Sequence, residues 1–125
     1  MTLSAAQATA ETYCIKVNGR RLFTDQLGYL LDPSEWDEEV ALALAAREEI
    51  DLDEDHWHMI RFVREWYEDR QTVPEARWLL KAMKQRLGET KGTRRYLHQL
   101  FPHGYGPELC KIAGMTMPRK VMLDV

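Results

Sequence analysis

The thiol of Cys110 is the group in this sequence whose type and position best suit it to chemistry. Cys110 lies near the predicted start of a short helix after a Gly-Pro pair, where unpaired backbone amides and the helix dipole favour a thiolate. Lys111 follows it, and Arg119 and Lys120 lie close in sequence, so the surroundings are cationic. A thiolate can attack a disulfide or accept sulfane sulfur, whereas a buried cysteine acts only as a small apolar residue. Both interpretations of Cys110 remain open, while Cys14, within a strand pattern, is predicted to be structural.

The other candidate residues argue against a metal-dependent or hydrolytic enzyme. His56 and His58 are two positions apart on a predicted helix and therefore point to different faces. No H-E-x-x-H, P-loop, G-x-G-x-x-G or G-x-S-x-G motif occurs. The carboxylates come in acidic runs, and the four tryptophans recur at helical spacing, which predicts core positions. We therefore expect neither a metal nor a cofactor.

The charge is divided unevenly along the chain. Residues 1–75 carry 7 Lys and Arg against 17 Asp and Glu, whereas residues 76–125 carry 10 against 3, for a formal net charge of −3. One interpretation is that the protein has two solvated faces of opposite charge. The more specific interpretation is that the basic half binds an acidic protein or a nucleic acid. The candidate contact residues are Arg77, Lys81, Lys84, Lys91, Arg94, Arg95, Lys111, Arg119 and Lys120.

The elements that must position Cys110 are predicted to be mainly helical. Asn18 and Gly19 predict the turn of an N-terminal β-hairpin. Capping residues and apolar spacing then predict about five helices, which form a small bundle whose third and fourth members resemble a helix-turn-helix. Their predicted bounds are 32–47, 53–69, 72–87, 93–101 and 108–113.

The length of 125 residues corresponds to one domain, with 45% hydrophobic and 30% charged residues as in soluble globular proteins. The folded domain is predicted to comprise residues 13–114. Residues 1–12, which lack signal-peptide features, are predicted to be a disordered lead-in, and residues 115–125 a flexible C-terminal arm. No segment is long enough to cross a bilayer, and two cysteines are too few for a disulfide framework. We expect a cytoplasmic protein that is a monomer or a weak dimer.

Several motifs of this chain occur together in one known family. The C-terminal Cys-Lys-Ile-Ala-Gly-Met stretch at 110–115, followed by Pro118, resembles the arm of the DsrC/TusE family, also called the sulfite reductase gamma-subunit family. Further similarity covers most of the chain, from about Tyr13 to Val121. It lies in Gly28-Tyr29-Leu30, His56-Trp57, Ile60-Arg61-Phe62-Val63-Arg64-Glu65, Lys81-Ala82-Met83, Gly92-Thr93-Arg94-Arg95-Tyr96-Leu97 and Leu100-Phe101-Pro102.

The resemblance implies a small helical domain with a mobile arm that handles sulfur as a protein-bound persulfide or trisulfide. TusE-like members relay sulfur toward tRNA thiolation, and DsrC-like members partner dissimilatory sulfite reductase. The principal cysteine of the family is the penultimate residue of the arm. A second cysteine, in DsrC-like members, lies eleven residues before it and can form a disulfide with it.

This chain departs from the family at the principal cysteine. Cys110 corresponds to the upstream cysteine, and Val121 stands eleven residues on, where the principal cysteine is expected. Val121 has no sulfur, so the two-cysteine cycle cannot run within one chain. Thr116 stands where the family usually has proline, which predicts a less stiff arm.

Two functions follow from this departure. The first is a sulfur-trafficking protein that binds sulfur-relay or sulfite-reductase partners and carries persulfide on Cys110, as a sulfur carrier rather than a stand-alone catalyst. The alternative is a non-catalytic regulatory paralogue that binds proteins or DNA through its basic, helix-turn-helix-like half. Salt-dependent binding would distinguish the DNA version.

Overall fold

The computed structural model describes residues 13–118, and this part of the chain begins with a β-hairpin. Strand β1 (Cys14–Val17) pairs antiparallel with β2 (Arg20–Phe23). Asn18 and Gly19 have positive φ angles of 49° and 81°, as a two-residue type I′ turn requires. The predicted hairpin is confirmed.

Five helices follow the hairpin in the described part of the chain, so the predicted small helical bundle is also confirmed. They are α1 (Glu38–Arg47), α2 (Glu54–Arg70), α3 (Ala76–Leu87), α4 (Arg94–Leu100) and α5 (Tyr105–Cys110). The carboxylate of Asp53 accepts from the His56 backbone N–H at the start of α2, and the Thr93 hydroxyl caps α4 in the same way. A 3₁₀ turn, Glu89–Lys91, separates α3 from α4; the helix-turn-helix arrangement of this pair stays a prediction.

The first predicted helix is split in two. Asp32 caps only a 3₁₀ turn, Pro33–Glu35, because the next residue, Trp36, is extended with ψ of 142°. Asp37 then caps α1 by accepting a hydrogen bond from the Val40 backbone N–H. The prediction of one continuous helix from this point was wrong, since the Trp36 side chain must leave the helix path to reach a distant contact.

Two other helix starts also differ from the prediction. Helix α3 begins at Ala76, after the N-cap Glu75, rather than near Thr72. The carbonyl of Pro74, between these residues, instead accepts a hydrogen bond from the Tyr105 hydroxyl. Helix α5 begins earlier than predicted, and its backbone forms a π-helical turn, in which each turn holds more residues than in an α-helix.

The core lies between the hairpin and the five helices. It includes Leu30, Val40, Leu44, Met59, Ile60, Val63, Leu79, Met83, Leu97, Phe101, Leu109, Ile112 and Met115. The buried ring of His56 joins α2 to α4 through a 2.7 Å hydrogen bond between its Nε2 and the Leu100 carbonyl. Among residues 13–118, no helix has the length and apolar character needed to cross a membrane.

The prediction that all four tryptophans lie in the core was wrong. Trp36, Trp57 and Trp66 are only partly buried, and Trp78 is 37% exposed. Arginine or lysine side chains lie over all four rings, at 4.0–5.7 Å from the ring centroids. Helical spacing could not distinguish the apolar face from its margin, where a large ring is covered by long cationic side chains instead of by the core.

Candidate functional site

Cys110 lies inside the core. Its exposed fraction is 0%, and it is the last residue of α5, so the free amides of a helix start do not face its sulfur. Burial raises the pKa of the thiol well above its ordinary value, and a hydrogen bond with Tyr105 opposes this rise only in part. In this conformation Cys110 is a protonated, shielded thiol.

Two tyrosines surround the thiol. Burial and the neighbouring sulfur of Cys110 raise the pKa of Tyr105, whose hydroxyl donates to the Pro74 carbonyl. Burial, followed by the charges of Cys110, Asp25 and Glu48, raises the pKa of Tyr29 to about 12. Both hydroxyls therefore keep their protons at neutral pH.

Lys111, the predicted cationic neighbour of Cys110, is used within the fold. Its Nζ lies 2.8 Å from a Glu48 carboxylate oxygen and 5.1 Å from the ring centroid of Tyr29, and its side chain is 13% exposed. Lys111 also lines a surface cavity of about 270 Å³ together with the half-buried Cys14. The lysine therefore ties the loop before α1, and the end of α1, to the base of the arm.

The base of the arm is held by Trp36 and Arg64. The Trp36 indole Nε1 donates to the Ile112 carbonyl at 2.8 Å. The Arg64 guanidinium donates to the carbonyls of Ala113, at 3.2 Å, and Pro33, at 3.1 Å, and lies 4.6 Å from the centroid of the Trp36 ring. These contacts fix the chain directly after Cys110.

Gly114 completes this anchor. Its φ of 78° is one that side-chain-bearing residues rarely adopt, and a Cβ atom there would lie 2.3 Å from the Trp36 ring. Only glycine lets the chain turn against the indole at this point.

The first residues of the predicted arm, 115–118, pack against the domain. Met115 is 2% exposed, its backbone N–H donates to the Cys110 carbonyl at 3.0 Å, and Pro118 is buried. Residues 115–118 line a groove of about 300 Å³ that is completed by Pro33, Tyr67, Gln71, Thr72 and Val73. Arg119, Lys120 and Val121 lie outside the described residues.

The predicted basic contact residues fall into two groups. Arg77, Lys81, Lys84, Lys91, Arg94 and Arg95 are exposed on α3, on α4 or on the turn between them. Lys91 pairs with Asp55 at 2.9 Å and Arg77 with Glu75 at 3.7 Å. Lys111 belongs instead to the interior network around Tyr29, so the structure does not join it to the basic helices.

Sequence reasoning did not assign Trp36 and Arg64 to the site. Trp36 was predicted to be a core residue like the other three tryptophans, and Arg64 appeared only within a family-like motif. The available signal was an arginine next to Val63 and four residues after Ile60, which places a charge at the edge of an apolar helix face.

Comparison with known proteins gives consistent results. A family model described as "DsrC like protein" matches residues 16–122. "Sulfurtransferase TusE" of Photorhabdus laumondii subsp. laumondii is 49% identical over 102 residues, which cover 82% of this chain and 92% of that protein. A "Sulfurtransferase TusE homolog" of Haemophilus influenzae is 43% identical over 108 residues, which cover 86% of this chain and 99% of the other.

Solved structures show the same similarity. The oxidized gamma-subunit of the dissimilatory sulfite reductase (DsrC) from Archaeoglobus fulgidus superposes with a TM-score of 0.80 at 37% identity, covering 85% of this chain and 96% of that one. Allochromatium vinosum DsrC gives a TM-score of 0.75 at 39% identity over 86% of this chain and 96% of its own.

Proposed function

The chain belongs to the family of DsrC-like proteins, and on that basis we propose that it is a sulfur-relay protein that works by binding partners of sulfur metabolism. The observation that carries this function is the extent of the match. The family model covers residues 16–122 and so includes the second half of β1, all of β2, all five described helices and the base of the arm. The relatives named sulfurtransferases are themselves covered almost completely.

The sulfur carrier in this proposal is Cys110. Its thiolate attacks the outer sulfur of a donor persulfide, the sulfur–sulfur bond of the donor breaks, and a new one forms to Cys110. The donor leaves as a thiolate and takes up the proton that Cys110 released. This exchange needs no added oxidant, because one sulfur–sulfur bond replaces another. The outer sulfur of the Cys110 persulfide later passes to an acceptor thiolate by the same kind of exchange.

Burial sets a condition on this chemistry. Because the resting thiol is fully covered and protonated, α5 must open before a donor can reach the sulfur. Gly104 and Gly114, both with positive φ, flank the segment that carries Cys110, and its π-helical backbone already departs from regular helix geometry. In the opened state the thiol gains water, which lowers the energetic cost of ionisation.

The experiment is intact-mass analysis of the reduced chain after incubation with inorganic polysulfide. The proposal predicts a gain of one sulfur that a reductant removes, that Cys110→Ser abolishes and that the matched variant Cys14→Ser retains. Sulfur that is lost in Cys14→Ser and kept in Cys110→Ser would contradict Cys110 as the carrier. No gain in any variant would contradict sulfur carriage while leaving partner binding as the function.

The partners in this proposal are proteins of the sulfur-relay or sulfite-reductase type, met in the cytoplasm. Regulation through DNA is not favoured: the net charge is −3, and Lys91, one of the basic residues, already pairs with Asp55 at 2.9 Å. A salt-titrated DNA-binding assay tests this alternative. The alternative requires that the chain bind DNA at low salt and that this binding weaken steeply as the salt concentration rises.

A further inference from the structure

A row of aromatic rings crosses the surface between α2 and α3. The ring centroids of Phe62 and Trp66 are 5.9 Å apart, and those of Trp66 and Trp78 are 6.2 Å apart. We call Phe62, Trp66 and Trp78 the aromatic stripe. Its outer member, Trp78, is 37% exposed, so the stripe reaches solvent rather than ending in the core.

Four cationic groups cover the aromatic stripe. The Arg70 guanidinium lies 4.0 Å from the centroid of Trp66, and that of Arg86 lies 5.2 Å from Phe62. Arg77 and Lys81 lie 5.1 and 5.5 Å from Trp78. Each cation lies over a ring, and the side chains of Arg70 and Arg77 are 52% and 72% exposed.

The acids near these cations are weak competitors for them. Asp69, Glu75 and Glu65 approach Arg70, Arg77 and Arg86 only to 3.2, 3.7 and 3.4 Å, and these acids are more than half exposed. Exposed pairs of this kind contribute little and exchange readily with other anions. Within residues 13–118, Lys81 has a ring contact but makes no ion pair.

The stripe also contains an unsatisfied donor. The Trp66 indole Nε1 is buried and has no hydrogen-bond partner within the described structure. Buried donors normally have a partner, so each exception requires an explanation. Arg70 lies over this ring, 4.0 Å from its centroid, and its side chain is 52% exposed, so the group that covers the ring face borders solvent.

We propose that the aromatic stripe and its four cations form a docking surface for an acidic segment of a partner protein. Carboxylates of that segment pair with Arg70, Arg77, Lys81 and Arg86, and its apolar side chains pack on Trp78. A carbonyl or carboxylate oxygen of the segment accepts from the Trp66 indole. The proposal rests on the proposed function only because a relay protein must dock its partners.

The residue types favour a protein over a nucleic acid. Tryptophan and arginine are the residues most enriched at the energetic centres of protein interfaces, and here they alternate over one surface. A phosphate backbone would meet the carboxylates of Glu65, Asp69 and Glu75 among the cations, whereas a folded or extended peptide can place its acids selectively.

The test uses the four indole N–H signals of the full-length ¹⁵N-labelled chain. The probe is a synthetic peptide of glutamates interrupted by leucines, and its counterpart has glutamine for every glutamate. The proposal predicts that the signals of Trp66 and Trp78 move with the acidic peptide and hardly move with the neutral one. Trp36 and Trp57, outside the stripe, serve as internal controls and should stay in place.

Charge reversals localise the contact without touching the core. Arg77→Glu and Lys81→Glu should each weaken binding of the acidic peptide about ten-fold, and Trp78→Ala should do so to a similar extent. Arg94→Glu changes the net charge equally but lies at the start of α4, where it contacts no ring of the stripe, and should weaken binding less than about three-fold.

Three results would overturn the proposal. They are unmoved Trp66 and Trp78 signals at about 1 mM peptide, equal movement of all four indoles, and tighter binding of a single-stranded RNA than of the acidic peptide at the same salt. None of these bears on sulfur carriage, because the stripe variants keep Cys110 and can be loaded with polysulfide separately. If the aromatic stripe does not bind the acidic peptide but Cys110 gains a sulfur from polysulfide, the docking proposal is wrong and the relay function still stands.

Discussion

Cys110 and Cys14 differ in how far solvent reaches their side chains. Cys110 is fully buried, whereas Cys14 is half-buried in β1 beside a surface cavity. We expect iodoacetamide to modify Cys14 at least about ten-fold faster than Cys110 in the native chain, because only an opening event exposes the buried thiol. Peptide mapping by mass spectrometry measures both rates, and the urea-unfolded chain supplies the reference. Similar native rates would contradict the burial of Cys110.

The backbone at Gly114 allows a second prediction at this scale. Gly114→Ala should lower the free energy of unfolding by about 2–4 kcal/mol, because it combines a disfavoured positive φ with a clash against Trp36. Gly19→Ala is the matched control: its φ is also positive, at 81°, but a Cβ there meets nothing within 4 Å. Urea unfolding measures both losses, and an equal loss in the two variants would exclude the clash.

Single residues were predictable where their chemistry is local. Cys110 could be selected from its residue type, but its buried, protonated state depends on Tyr105 and on the packing of α5 in the core. The roles of Trp36 and Arg64 depend on contacts with Ile112 and Ala113, 76 and 49 positions away in the chain. No local pattern specifies contacts over such separations.

At the scale of elements, the loop between α4 and α5 depends on a buried carboxylate. Glu108 has an exposed fraction of 0% and accepts hydrogen bonds from the backbone N–H and the ring Nδ1 of His103. The hydrogen bond and the charge of Glu108 raise the pKa of His103 above 6.5, and Glu48 adds to this effect. The His103 ring is therefore a hydrogen-bond partner for the buried carboxyl group of Glu108.

This pair predicts how stability depends on pH. Because the folded-state pKa of His103 is the higher one, its stabilising contribution is complete below the unfolded pKa and is lost as pH rises through the folded value. The urea midpoint should therefore fall between about pH 6 and about pH 8 by more in the parent chain than in His103→Gln. His98→Gln, on the exposed side of α4, is the control and should keep the parent slope. An unchanged slope in His103→Gln would contradict the pairing.

Element type was easier to predict than element boundaries. The hairpin and α4 follow from Asn18-Gly19 and from Thr93, whose effects act within a few residues. The break at Trp36 could not be predicted, because Asp32 and Pro33 are a valid helix start and the tertiary contact of the indole overrides it. The π-helical form of α5, a segment that contains Gly106 and Pro107, was not predicted either.

At the scale of the whole molecule, Arg64 joins three parts of the chain. Its guanidinium, on α2, donates hydrogen bonds to the carbonyls of Pro33 and Ala113 and lies over the Trp36 ring. Arg64→Ala should cost about 1–3 kcal/mol in the free energy of unfolding and should speed proteolysis after Ile112, because two carbonyls lose their donor. Arg61→Ala removes an exposed arginine near Trp57 from the same helix and should cost less than about 1 kcal/mol. Equal losses in a urea titration would contradict the anchoring role.

The burial of Cys110 also has a kinetic consequence. Under the proposed function, Cys110 would exchange sulfur no faster than α5 opens, because its side chain is fully buried. At high donor concentration the loading rate then becomes independent of the donor and reports one unimolecular step of the protein. A partner that holds the opened state would accelerate the exchange without supplying any catalytic group. If α5 closes again over a persulfide on Cys110, that persulfide can react only when α5 reopens. The rate of reopening would then set the lifetime of the bound sulfur.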